Sequence, residues 1–311
     1  MKIAFVFPGQ GSQSVGMQAE LANAYAVVGD TYREASEVLG FDLWELVQHG
    51  PGERLDQTVN TQPAMLTAGV ATWRAWRACG GPIPTLLAGH SLGEYSALVV
   101  AGAFDFQEAV DVVRQRAELM QNAVPAGEGA MAAILGLDDA TIQEVCDTAS
   151  GIGVAEPVNF NSPGQVVVAG HRAAIQRLIE LAKEAGARRA ILLHVSVPSH
   201  SSLMQGAGDA LAGIIDAMEI GDPEIPVVCA LDGRPYGDAV DIRARIKTQV
   251  YSPVHWVETV KYLQSNGVRA IVECGPGKVL AGLVKRIDRT IAVNCIDSAR
   301  ALQTVLDEAG Q

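Results

Sequence analysis

The chain has 311 residues, 49% of them hydrophobic and 19% charged, with a formal net charge of −12. That length and apolar content allow a sizeable core, in one large domain carrying an insertion or in two domains. The acidic balance argues against a nucleic-acid partner, which needs concentrated Lys and Arg, and no apolar run approaches the roughly 18 residues of a membrane helix.

The amino terminus, MKIAFVFPGQG, holds one lysine and a short apolar run that stops at a Pro-Gly turn. It reads as a buried first strand and is too short for a secretory signal, so a soluble, cytoplasmic protein is expected. Strand-like runs follow at 85–89, 226–231, 270–275 and 291–296, separated by helical patterns such as 62–80, where apolar residues recur at three and four. Strands alternating with helices predict an α/β fold with a mainly parallel sheet. The middle of the chain has another rhythm: strand 130–137, helix 138–149, strand 154–160, a turn at NSPGQ, strand 165–170, helix 171–186 and strand 187–197. That β-α-β-β-α-β order is the split unit of ferredoxin-like folds. It predicts a subdomain at 126–197 inserted into a discontinuous domain of 1–125 and 198–311, with the site in the cleft between them.

Five cysteines and six histidines are scattered without C-x-x-C or H-x-x-x-H spacing, which predicts reduced thiols and no metal. Chemistry is more legible elsewhere. GHSLG (89–93) fits G-x-S-x-G, with an apolar run before it and a helical pattern after it. Ser91 is then either a helix cap or a nucleophile on a strained strand-to-helix turn. The helix beginning after it, from Leu92 onward, offers backbone N–H groups to a developing oxyanion. FPGQGSQ (7–13) is a turn whose Gln10 and Gln13 have no evident packing role. A serine nucleophile needs a base. His49, His171 and His255 read as surface or junction residues, His90 is pinned beside the elbow, and His194 falls within the strand 187–197. His200, in VPSHS, is the best placed. Arg116 could be an ordinary solvated arginine, like Arg114. ECGPGKVLAGLVKRI (273–287) lacks a phosphate-loop pattern and reads as a wall of the cleft, with Lys278, Lys285, Arg286 and Arg289 as a local basic cluster.

Taken together, FPGQGSQ, GHSLGEYSAL, QRAELMQ, PVNFNSPGQVVVAG, VPSH and GPGKVL resemble the motifs of the malonyl-CoA:acyl carrier protein transacylases of fatty acid synthesis, in order and over almost the whole chain. The resemblance implies an α/β-hydrolase-like domain with a ferredoxin-like insertion. It makes Ser91 the acylated nucleophile, His200 its base, Gln10 and the Leu92 N–H the oxyanion hole, and Arg116 the receptor for the malonyl carboxylate. Gln249 matches a position whose main-chain carbonyl orients the histidine, and Asn159, with His90, would line the site. Ser201 is a small departure after the histidine and touches no catalytic position. No resident cofactor is implied. Malonyl-CoA is the substrate, and phosphopantetheine arrives on a transient acidic carrier, for which Lys285, Arg286, Arg289, Arg188 and Arg189 would form the docking patch on a monomer. A stand-alone chain with a VPSH segment leans towards a discrete housekeeping enzyme, and polyketide loading enzymes share most of these motifs. The rival expectations are a thioesterase or esterase of related fold, an enzyme for another acyl-CoA such as methylmalonyl-CoA, and a non-catalytic scaffold.

Overall fold

A computed structural model describes residues 2–193, 195 and 197–309. Its strands are β1 (Ile3–Phe7), β2 (Leu86–Gly89), β3 (Gly129–Leu135), β4 (Ala155–Ser162), β5 (Gln165–His171), β6 (Arg189–Leu192), β7 (Val227–Cys229), β8 (Arg234–Pro235), β9 (Ala270–Cys274) and β10 (Ala292–Ile296). They form a six-stranded sheet ordered β10-β9-β1-β2-β7-β8 and a four-stranded sheet ordered β4-β5-β3-β6.

The first sheet is parallel except for the antiparallel end pair β7–β8. Its four inner strands, β9, β1, β2 and β7, are largely buried on both faces, which is why they read as near-continuous apolar runs and not as alternation. Phe5, Phe7 and Leu87 point into one core, packed by the helices of the first half of the chain. Ala4, Val6, Leu86 and Ala88 point into the other, against the helices Trp256–Ser265 and Val279–Ile287. The second sheet is antiparallel throughout. One of its faces packs on the helices Asp139–Ala149 and Arg172–Glu184. Its other face, carrying Met131 and Val167, borders the cleft. The architecture is therefore the expected α/β-hydrolase-like sheet joined by a ferredoxin-like unit.

Strand β4 is tied to the segment that leads into the helix Trp256–Ser265. Asn159 bridges to Val254, the Phe160 N–H donates to the Val254 carbonyl at 2.9 Å, and the Val254 N–H returns a 2.9 Å bond to Val158. The long helix begins at Thr58, before the expected start at 62, and carries Pro63 inside its second turn. Of the strand expected at 187–197, β6 covers Arg189–Leu192, while His194 and Ser196 lie outside the described residues. Among the described residues, no helix is long and apolar enough to cross a membrane.

Candidate active site

Strand β2 ends at Gly89 and the helix Gly93–Val100 starts four residues later, so the chain must reverse within His90, Ser91 and Leu92. Ser91 takes φ 52° to do so, a left-handed conformation that a non-glycine residue adopts only where its surroundings impose it. The flanking glycines are steric requirements. A Cβ on Gly93 would lie 2.0 Å from the Phe7 carbonyl oxygen, and one on Gly89 would lie 2.0 Å from the Gly93 backbone. The result lifts the Ser91 side chain into a cleft of about 200 Å³.

Across the cleft stands His200, only 3% exposed and itself at φ 66°. Its Nε2 lies 2.7 Å from Ser91 Oγ. Its Nδ1 lies 2.9 Å from the Gln249 carbonyl and 3.1 Å from the Ser252 carbonyl. Both carbonyls can only accept, so Nδ1 carries the proton and Nε2 presents its lone pair to the serine. Burial, followed by the nearby Arg116 charge, pushes the imidazole down to about 3, so the base is neutral at physiological pH.

Arg116 lies on the helix Phe106–Asn122 and is 1% exposed. Nη1 donates to Gln62 Oε1 at 2.6 Å and Nη2 to Gln249 Oε1 at 3.0 Å, while Nε is buried with no partner. Its ring neighbour is Tyr95, 5.5 Å from Cζ to the centroid. Burial works against the guanidinium charge, and Tyr95 and Glu94 work to retain it. A buried cation held by two neutral amides, with N–H groups to spare at the cleft wall, has the chemistry to receive an anionic group. Arg114, by contrast, pairs on the surface with Asp111 and Glu118.

The remaining expected residues divide. Gln10 and Leu92 line the cleft beside Ser91. The Gln10 amide donates to Thr58 Oγ1 at 3.2 Å. The turn bonds from Gly93, Glu94 and Tyr95 back to His90, Ser91 and Leu92 leave the Leu92 N–H out. Gln13 is a loop brace, accepting from the Gly11 N–H and donating to Asp56. His90 Nε2 meets Asn161 Oδ1 at 2.8 Å, tying the elbow to strand β4, and Asn159 lines the cleft next to it. Lys285, Arg286 and Arg289 are exposed near one end of the second sheet. Arg286 donates to Gln165, which pairs with Leu135, which in turn pairs with Arg189. A line of contacts across strands β5, β3 and β6 thus leads from Arg286 to Arg189. Lys278 instead pairs with Asp297 at 3.0 Å.

Sequence reasoning missed Gln62, Glu94, Asn161 and the Ser252 carbonyl. Glu94 carried a signal: it is an acid inside the otherwise apolar helical run after the serine.

The family described as acyl transferase domain matches residues 4–303. The chain is 51% identical over 307 residues to the malonyl CoA-acyl carrier protein transacylase of Salmonella typhimurium, covering 99% of each chain. It superposes on the malonyl CoA-acyl carrier protein transacylase structure from Coxiella burnetii with a TM-score of 0.98 at 48% identity, covering 100% of this chain and 98% of that one. A malonyl-transacylase solved in complex with its type II PKS acyl-carrier protein gives a TM-score of 0.98 at 50% identity, covering 99% of this chain and 100% of that one.

Proposed function

Because the chain belongs to the acyl transferase family, we propose that it transfers the malonyl group of malonyl-CoA to the phosphopantetheine thiol of an acyl carrier protein, in the cytoplasm, through a malonyl ester on Ser91. The observation that carries this reading is the 2.7 Å contact between Ser91 Oγ and His200 Nε2, with Nδ1 held by main-chain carbonyls and not by an acid.

Ser91 Oγ attacks the thioester carbonyl while His200 Nε2 takes its proton. The carbonyl oxygen becomes an oxyanion, for which the Leu92 N–H and the Gln10 side chain, both at the cleft beside Ser91, are the donors. As the tetrahedral adduct collapses, the C–S bond breaks and the CoA sulfur leaves with the proton from His200. In the second half the carrier thiol gives its proton to Nε2, and its sulfur attacks the ester. The C–O bond breaks, and Ser91 takes the proton back. Arg116 holds the free malonyl carboxylate throughout, anchoring the acyl group so that its carbonyl stays over Ser91. No resident cofactor enters the scheme. The exposed cations Lys285, Arg286, Arg289, Arg188 and Arg189 give a carrier of acidic surface a place to land on an otherwise acidic protein.

Incubation with malonyl-CoA is expected to add one malonyl mass, on Ser91, and holo-carrier protein is then expected to discharge it. Steady release of free malonate without the second thiol would support the thioesterase reading instead. An adduct that persists in Ser91→Ala would place the nucleophile elsewhere.

A further inference from the structure

Glu94 follows the nucleophile by three residues and is completely buried on the helix beneath it. A carboxylate there is tolerable only if donors surround it, and they do. Tyr236 Oη donates to Oε1 at 2.8 Å, the Ala230 N–H donates to Oε1 at 3.2 Å, and Gln249 Nε2 donates to Oε2 at 2.6 Å. Three donors suit the ionised carboxylate, and they oppose the upward push of burial on its pKa.

Gln249 is the residue that these contacts fix. Its Nε2 also donates to the Ser91 carbonyl at 2.9 Å, its Oε1 accepts from Arg116, and its main-chain carbonyl accepts from His200. The orientation of its amide is forced. Two acceptors, Ser91 O and Glu94 Oε2, face one side and a guanidinium faces the other, so a flipped amide would set donor against donor. One side chain therefore spans the nucleophile's backbone and the carboxylate receptor, while its own backbone holds the base. Glu94 is the charged member that locks it.

We propose that Glu94 is a positioning residue which, through the Gln249 amide, sets the aim of Arg116 at the acyl carboxylate. The proposal rests on the malonyl-transfer reading above. Replacing Glu94 by Gln keeps the shape and changes the pattern of acceptors. The side facing Tyr236 and the Ala230 N–H still needs an oxygen, so the new NH₂ falls against Gln249 Nε2. The Gln249 amide must then turn or retreat, and Arg116 loses one of its two supports. A fault confined to packing would slow every acyl group alike. A fault in aiming Arg116 falls chiefly on substrates with a second carboxylate.

The test measures Ser91 charging by malonyl-CoA and by acetyl-CoA in wild type, Glu94→Gln, Gln249→Met and the double variant. Gln249→Met removes the amide and leaves the main-chain carbonyl for His200. Each single variant is expected to reduce the malonyl-over-acetyl preference about tenfold, through a raised malonyl KM, and Glu94→Asp is expected to recover part of it. The double variant is expected to be no worse than Gln249→Met alone, because both changes break one chain of contacts. Equal loss for both acyl groups, or losses that multiply in the double variant, overturns the proposal. Should Glu94→Gln not fold, full malonyl preference in Gln249→Met overturns it by itself. A wild-type protein that never acquires the malonyl adduct would instead strike the transfer reading, and this proposal with it.

Discussion

Malonyl differs from acetyl by one carboxylate, so replacing Arg116 is the sharpest perturbation of substrate choice. Each terminal guanidinium nitrogen carries two hydrogens. Gln62 engages one on Nη1 and Gln249 one on Nη2, which leaves one on each for a carboxylate to bridge. A hydrogen bond to a charged group contributes roughly 1.5–3 kcal/mol. The lower end for two such bonds is about 3 kcal/mol, or about a hundredfold at roughly 1.4 kcal/mol per tenfold. Arg116→Ala should therefore cut malonyl charging by about a hundredfold or more while acetyl charging holds steady or rises. Arg116→Lys should recover only part, since one ammonium cannot hold both glutamines and a carboxylate in a plane. The alanine variant also leaves the oxygens of Gln62 and Gln249, each 1% exposed, without their donor. An unsatisfied buried acceptor costs about 1–3 kcal/mol, so a thermal melt must accompany the kinetics. The assay is time-resolved intact mass of the acyl-enzyme with each CoA ester. Proportional loss of both, in a variant that melts normally, would refute carboxylate recognition by Arg116.

Other outcomes follow from the same geometry. His200→Ala should slow both half-reactions by about two to four orders of magnitude, and no substitution of an Asp or Glu, Glu94 included, should match that loss in single-turnover charging. Because burial and Arg116 push His200 down to about 3, its protonation should not limit charging at pH 5–8, and the rate should fail only as pH approaches that value. The same group makes stability fall as pH drops below about 6.5, where the unfolded histidine takes a proton that the native one refuses, with a slope of up to about 1.4 kcal/mol per unit. Acid denaturation of His200→Gln should accordingly begin at lower pH than in wild type. Reversing Lys285 and Arg289 to Glu should slow transfer to carrier protein more than charging by malonyl-CoA, and added salt should shrink the difference.

The parts of the site that could be read in the sequence are those whose chemistry is local. A strained serine turn needs glycines on both sides, and Gly93 abutting the Phe7 carbonyl shows the steric reason. Buried parallel strands need near-continuous apolar runs, and β1 and β2 supplied them. The helix start at Thr58 was hidden because Pro63 imitates a first-turn proline, while here it sits one turn further in. Gln62, Asn161 and Glu94 were hidden for another reason. Each acts through a partner far away in sequence: Gln62 through Arg116, Asn161 through His90, and Glu94 through Gln249 and Tyr236. Polar residues of that kind look like any polar residue until the fold closes around them. The order of the motifs, with the base at 200 and over a hundred residues after it, could only separate this chain from the hydrolase arrangement of serine, acid, then histidine.

The chemical meaning of that separation lies in how His200 is held. In a Ser-His-Asp site the carboxylate stabilises the imidazolium, so the histidine can act as a fairly strong base. Here Nδ1 meets two neutral carbonyls, and the Arg116 charge opposes protonation further. The histidine is consequently a weak base. A thiol, with a pKa of about 8.5, needs little help to become a nucleophile. Water, at about 15.7, needs a great deal. Of the two possible acceptors at the acyl-serine, the carrier thiol therefore asks less of the base than water does. With the malonyl carboxylate on Arg116, as proposed, His200 would be relieved of one opposing charge from the binding of malonyl-CoA onward, so its proton affinity would rise in both half-reactions. Acetyl would give no such relief. The carboxylate proposed to select the substrate would thus also ready the base, and both effects would pass through the charge of Arg116.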